Sequence, residues 1–500
     1  MKSHRHLLAI ACLTVLSACG GGGGGSASTA AAGSATAPAA PGQSDFVTRA
    51  NLCQHPRTGV QPNGAPYPDQ QGTLNDELRW LRAFTDATYL WYKEVPASVN
   101  MANYSNPLDY FAALKTPLIT ASGRAKDRFH FTYPSEVWDD LSGAGVELGY
   151  GILWSRGSGA TARVWNVTQV EPGSPADAAG VRRGDLLSTV DGVDIADTSV
   201  SATAAINAGL FPNGAGETHL LGLERGGAPL PVAALRSQKI ATAPVRGTKV
   251  IDTPGGAVGY LQFDDHNAVA ERRLVDAFTT LQAAKVSDLV LDMRYNGGGY
   301  LVVANELAYM IAGPAATDGK IFGRLLANDQ RPAAAPESFQ TRSVGLSPSA
   351  LPSGRALPYL GLKRVTVLTT AGTCSASESV INALRGVDVE VNLIGGETCG
   401  KPYAFEPQPN CGTTYFTIQY QSVNNKGFGD YADGFQPTCK ADDDLGHALG
   451  DPAERLLATA LSYRANGICP ATPLRARSLA GGGPMQLVRP EAKEISILRR

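Results

Sequence analysis

Apolar residues along the chain fall into three successive patterns. In residues 73–96, TLNDELRWLRAFTDATYLWYKEVP, the positions Leu74, Leu78, Leu81, Phe84, Thr88 and Trp91 recur at helical spacing, with Thr73 as a cap and Pro96 as a stop. From about residue 138 to 242 the period shortens to two: VELGYGILWS and TARVWNVTQV alternate and are rich in strand-forming residues. Within 171–195 the order is a Pro172-Gly173 turn, a short helix from Ser174-Pro175 ended by Gly180, a strand Leu186–Val190 and a hairpin at Asp191-Gly192. From 257 to 400 strands alternate with helices. Strands are expected at 257–263, 288–293, 364–370 and 389–395, and helices at 268–284, 301–312 and 376–385. That alternation predicts an α/β fold with a layered sheet and parallel pairs, whose sites lie at the carboxyl ends of the strands. Residues 313–360, with their Ala/Pro runs, read as a long loop or cover over that face.

A chain of 500 residues exceeds one ordinary domain, and 56 Gly with 32 Pro supply many turns and linkers. Only 18% of residues are charged and the net charge is −2, which gives no basic surface for nucleic acid. The first residues, MKSHRHLLAIACLTVLSACG, have a basic start, an apolar stretch too short to span a bilayer, and small residues before Cys19. Leu16-Ser17-Ala18-Cys19 resembles the bacterial lipobox, which implies cleavage before Cys19 and lipidation of its thiol. Gly20, rather than Asp, follows Cys19 and points to the outer membrane of a cell envelope. The Gly/Ala/Ser/Pro run behind it cannot bury a core and reads as a flexible tether. The expected organisation is a signal peptide at 1–18, a tether at 19–45, a small helical domain at 46–137, a β-rich domain at 138–242, a catalytic core at 243–470 and a tail at 471–500.

Cys12 leaves with the signal peptide. Cys53, Cys374, Cys399, Cys411, Cys439 and Cys469 remain, an even number that suggests disulfides in an exported protein, with connectivity open. Their spacing does not suit zinc, and no metal or organic cofactor is expected.

Candidate chemistry centres on Gly372 to Ser379, GTCSASES, where a strand ends and a helix begins. Ser375 followed by Glu378 is a capping-box pattern, so these serines have a purely structural reading as well as a nucleophilic one. A nucleophile needs a base. The histidines His55, His130, His219, His266 and His447 are candidates, but none serves a Gly-x-Ser-x-Gly elbow. Lys401 is the alternative. It ends the next strand among Pro402, Tyr403, Ala404 and Phe405, with no acid within three residues to hold its proton. Bringing a lysine from about 10.4 to about 7 requires an apolar burial site. Gly395-x-x-x-x-Gly400-Lys401 is not a phosphate loop, because Pro402 stands where Ser or Thr and then a helix are needed. Gly297, Gly298 and Gly299, at the end of another strand, let main-chain amides approach a substrate carbonyl, and the amide of Ala376 is a natural second donor. Asp292 and Arg294 read as anchors of that turn.

These residues carry two family resemblances. The 138–242 succession resembles a PDZ domain, in which Gly149, Tyr150, Gly151 and Ile152 would form the loop that binds a peptide carboxylate while the peptide adds a strand to the sheet edge. A PDZ unit followed by LVLDMRYNGGGYL, TCSASESVINAL and GGETCGK resembles the tail-specific (C-terminal-processing) serine peptidases over roughly residues 140–405. The resemblance implies a crotonase-like α/β core, Ser375 as nucleophile, Lys401 as general base, and Gly298 with Ala376 as the oxyanion hole. It also implies endopeptidase action on proteins or peptides with accessible C-termini. The rival reading is a catalytically weak or inactive PDZ-containing binding lipoprotein. Two departures stand out: Phe405 occupies the place of a Gln that orients the lysine in many members, and the Ser375–Lys401 interval is one residue longer than in the best-known members. Cys374 and Cys399, beside the two catalytic positions, are expected to pair and brace the site.

Overall fold

The computed structural model describes residues 41–61, 64–157, 163–471, 486–488 and 496–497. The expected signal peptide 1–18, the lipidation site Cys19 and the tether up to residue 40 lie outside the described residues. Residues 41–45, expected in the tether, instead open the helix Pro41–Thr48.

The core is a sheet in the order Val245–Ile251, Val258–Phe263, Asp288–Asp292, Arg364–Thr369, Glu390–Gly395 and Cys439–Lys440. All neighbours are parallel except the first pair. Residues alternate between two covered faces, which is why the strands read as nearly continuous apolar runs. Leu261, Phe263, Leu289, Leu291, Val365, Val367 and Leu393 pack with the helices Ala270–Ala283, Leu301–Ala312 and Ala376–Gly386. On the other face Val258, Tyr260, Val290, Leu368 and Ile394 meet Leu456, Leu457 and Ala460 of the helix Arg455–Asn466. Because Arg364–Thr369 and Glu390–Gly395 are adjacent and parallel, with Thr369 opposite Gly395, the turns that follow them emerge at the same sheet edge.

The helical segment near the N-terminus is built onto this core. Thr73 and Asp76 form a capping box at the start of the helix Leu74–Thr88, which stops before Trp91. Its buried face is wider than the periodic positions alone, because Trp80 and Ala83 are buried beside Leu78, Leu81 and Phe84. The rings of this segment join Tyr403, Phe405, Tyr415 and Phe416 in one cluster. The strand Phe131–Pro134 pairs with Thr413–Phe416, and a Cys53–Cys411 disulfide closes the join.

The β-rich segment forms a separate sheet in the order Ala228–Pro229, Thr218–Arg225, Leu186–Val190, Trp165–Val170, Ile152–Arg156 and Gln486–Val488. Asp191 (φ 50°) and Gly192 (φ 79°) make the expected hairpin turn, and Ser174 caps the short helix Pro175–Ala178. The helix Val200–Leu210 packs Ile206 and Leu210 onto the core of this sheet. Of the region expected as a loop or cover, Ile321–Leu326 pairs with Tyr420–Val423 and with Glu337–Ser338. The other disulfides are Cys374–Cys399 and Cys439–Cys469. No helix among the described residues is long and apolar enough to cross a membrane.

Candidate active site

Three strand ends meet here: the Gly-rich turn after Asp288–Asp292, the serine turn after Arg364–Thr369, and the lysine turn after Glu390–Gly395. Main-chain bonds lace them together. The Cys374 amide and the Ser377 hydroxyl both donate to the Asn296 carbonyl (3.0 Å each), and the Cys399 amide donates to the Thr373 carbonyl (3.0 Å). Beneath them, the buried Arg294 guanidinium pairs with Asp292, Glu454 and Asp443. Burial alone would raise Asp443, but Arg183 and Arg294 beside it hold its carboxyl at about 2. Asp292 and Arg294 are therefore anchors of the turn, as their position in the sequence suggests.

Ser375 opens the helix Ala376–Gly386 with φ 60° and ψ −112°, a backbone conformation that costs a non-glycine residue about 1–3 kcal/mol and persists only where its surroundings impose it. Glu378 imposes much of it. Its Oε2 accepts from the Ser375 amide (2.9 Å) and from the Lys401 amide (2.8 Å). Its Oε1 accepts from the Gly400 amide (2.9 Å) and the Thr398 hydroxyl (2.5 Å). The capping-box reading of Glu378 thus holds but is incomplete, since the same carboxylate also holds the lysine turn. Burial pushes the Glu378 carboxyl up, and its four donors oppose that shift. The Cys374–Cys399 disulfide ties the same two turns together, as expected (Cα–Cα 5.1 Å).

Lys401 is 1% exposed, and its Nζ lies over the faces of Phe129 (4.0 Å) and Phe405 (4.4 Å). Arg128, next to Phe129, donates to the Cys399 carbonyl (3.1 Å). Phe129 and Arg128 come from the N-terminal segment, and no periodicity or spacing in the sequence links them to Lys401. Phe405, at the place where the family resemblance led to the expectation of Gln, sets a ring beside the amine. After Lys401 the chain forms the strand Tyr403–Ala404, as the rejection of a phosphate loop requires.

The two expected oxyanion donors differ in their surroundings. Ala376 is the first residue of its helix, where main-chain amides lack an intrahelical acceptor. The Gly298 amide donates to the Asn296 side-chain oxygen (3.0 Å), which also accepts from His266 Nδ1 (3.0 Å). A substrate oxyanion at Gly298 therefore has to share that amide with Asn296. His266 is fully buried, and burial lowers its pKa to about 3, so it stays a neutral partner of Asn296. Of the other histidines, His130 stacks on Phe111, His219 pairs with Asp191 and His447 pairs with Asp444.

Gly149, Tyr150, Gly151 and Ile152 line a cavity of about 460 Å³ together with Phe211, Arg246 and Tyr295. The Tyr150 side chain turns into the domain and donates to the Gly209 carbonyl (2.9 Å). Gly151 (φ 81°) must be glycine, because an added Cβ would lie 2.3 Å from Ser174 Cβ.

Residues 257–439 match peptidase family S41, residues 167–208 a PDZ domain, and residues 78–133 the peptidase S41 N-terminal domain. The chain is 29% identical over 274 residues to the chloroplastic C-terminal processing peptidase of Tetradesmus obliquus, which covers 52% of this chain and 51% of that protein. It is 26% identical over 257 residues to the carboxyl-terminal-processing protease of Synechocystis, covering 50% and 53% respectively. The chain thus spans about half the length of these curated relatives. Among solved structures, a Bacteroides fragilis protein assigned to the S41 proteases superposes with a TM-score of 0.59 at 24% identity, covering 82% of this chain and all of that one, which is a likeness of fold.

Proposed function

We infer from its place in peptidase family S41, to which the chain belongs, that this protein is a serine endopeptidase that cleaves proteins or peptides presented by their C-termini. Ser375 attacks the peptide carbonyl as Lys401 takes its proton, an acyl-enzyme forms, and water attacks it with Lys401 again as base. The observation that carries this reading is the shared oxygen of Glu378, which holds the Ser375 and Lys401 amides on one carboxylate. The surroundings of Lys401 support the role of base. Losing water costs a buried ammonium several kcal/mol, whereas a ring face returns only about 1–2 kcal/mol. Burial of Lys401 between two aromatic rings is the kind of apolar setting that a lysine base requires. Gly298 and Ala376 stabilise the oxyanion, and the Gly149–Ile152 loop with the neighbouring strand edge captures the substrate C-terminus.

In this reading the mature protein is held to the envelope, at the outer membrane, by a lipid on Cys19, and the tether gives the catalytic body reach. The test is incubation of the protein with an unfolded substrate ending in apolar residues, beside Ser375→Ala and Lys401→Ala. Fragments seen by mass spectrometry with wild type and with neither variant are the expected result. Stable capture of the substrate's C-terminus without cleavage would identify a binding lipoprotein instead.

A further inference from the structure

Two short strands of the chain's own tail, Gln486–Val488 and Ser496–Ile497, lie on both surfaces that a peptide substrate needs. Gln486–Val488 pairs antiparallel with Ile152–Arg156, with Gln486 opposite Arg156 and Val488 opposite Trp154. It therefore runs toward the Gly149–Ile152 loop, in the sense of a peptide entering that loop by its C-terminus. Ser496–Ile497 then pairs in parallel with Gly299–Tyr300, directly after Gly298. The seat is shaped as well as hydrogen-bonded. Val488 packs on the PDZ core and forms part of the wall of the cavity of about 460 Å³. Leu487 lies over Gly372, three residues before Ser375, and a Cβ at Gly372 would come within 2.3 Å of Leu487 Cδ1.

The direction of the chain decides what this arrangement means. A substrate with its C-terminus in the PDZ loop offers residues upstream of that loop to Ser375. The two tail strands come in the opposite order, Gln486–Val488 at the PDZ edge and Ser496–Ile497 at the catalytic turn. They cover both surfaces without lying as a substrate lies. We propose that the tail strands Gln486–Val488 and Ser496–Ile497 are an intramolecular ligand of the PDZ edge and the Gly299–Tyr300 turn, a built-in competitor that a substrate C-terminus must displace. The proposal rests on the PDZ and serine-peptidase reading above. It narrows the class of peptide that displaces the segment to one ending in a polar–apolar–apolar sequence, like Gln486-Leu487-Val488, with a free carboxylate. A tethered competitor acts at about millimolar effective concentration, so removing it should be plain in affinity.

The experiment uses the full chain in two forms, both carrying Ser375→Ala so that the probe is not consumed: one otherwise unchanged, one with Leu487→Asp and Val488→Asp. The probe is a labelled peptide copying residues 479–488 with a free carboxylate at Val488. The expected result is at least about tenfold tighter binding to the tail variant, with faster hydrogen exchange across residues 152–156 in that variant. Equal affinity in the two forms, including no binding by either, overturns the proposal, as does unchanged exchange at that edge. Neither readout involves catalysis, so a failure here is distinct from a failure of the serine mechanism, which the cleavage assay with Ser375→Ala detects by itself.

Discussion

Replacing Glu378 by Gln tests the serine–lysine geometry most directly, because the change keeps the size of the side chain and alters only what its oxygens accept. Each carboxylate oxygen now takes two donors: the Ser375 and Lys401 amides on one, the Gly400 amide and Thr398 hydroxyl on the other. A glutamine amide offers one oxygen. Whichever pair keeps it, the other pair faces an NH2 group that cannot accept. A hydrogen bond to a charged group is worth about 1.5–3 kcal/mol, so losing two costs about 3–6 kcal/mol against a total stability of about 5–15 kcal/mol. The orientation in which the Ser375 and Lys401 amides lose this acceptor also frees the strained Ser375 backbone to relax. Since displacement of a reacting group by an ångström can cost about 100-fold in rate, kcat should fall by that order. KM should hold, because the PDZ surface is untouched. The assays are urea unfolding and steady-state cleavage of a peptide substrate, with Glu378→Asp as a partial rescue. A variant with wild-type unfolding midpoint and wild-type kcat would refute the view that this carboxylate sets the geometry.

Four further outcomes are expected. Phe129→Ala opens Lys401 to water, which favours the ammonium; the acidic limb of the kcat/KM pH profile should move to higher pH, and an unmoved limb would show that the ring does not shield the base. Replacing both Cys374 and Cys399 by Ala removes a crosslink across 25 residues, worth about 3 kcal/mol, which a lowered urea midpoint should register. His266 has a folded-state pKa near 3, against 6.5 for the free side chain. The unfolded state therefore takes up its proton first as pH falls, and up to about 5 kcal/mol of stability is lost between pH 6.5 and 3; His266→Gln should flatten acid unfolding in that window. Asp443 behaves in the opposite way: its depressed pKa of about 2 gives stability that is present above the unfolded value of 3.8 and lost as pH falls toward 2, about 2 kcal/mol, and Asp443→Asn should lower stability at neutral pH and remove that step.

Much of the core was legible because its signals are local. The helix Leu301–Ala312 and the strand Glu390–Gly395 follow from apolar periodicity and Gly boundaries, and the adjacency of the serine and lysine turns follows from parallel strand order. The cysteine pairing at the site was an extension of the family resemblance, and the structure contains it. What stayed hidden is non-local. Glu378 reads as a helix cap because its second task depends on residues 398–401 folding back over it. Phe129 lies far from Lys401 in the chain and carries no motif. The occupation of the Gly298 amide by Asn296 is the exception, a local bond two residues apart that the Asn-Gly sequence could have signalled. The tail strands are too short to show a period.

These hidden contacts share one physical logic. In the proposed mechanism a neutral lysine requires a dry pocket, and the lysine turn cannot build one from its own residues. Phe405 supplies one wall, and the N-terminal segment supplies the other with Phe129 while Arg128 pins the Cys399 carbonyl. That segment is held in place by the Cys53–Cys411 disulfide and by the pairing of Phe131–Pro134 with Thr413–Phe416. The N-terminal segment is therefore part of the lysine's solvent shield rather than an appendage. Loosening its attachment, far from Ser375, should let water reach Lys401 and lower activity before the central sheet unfolds.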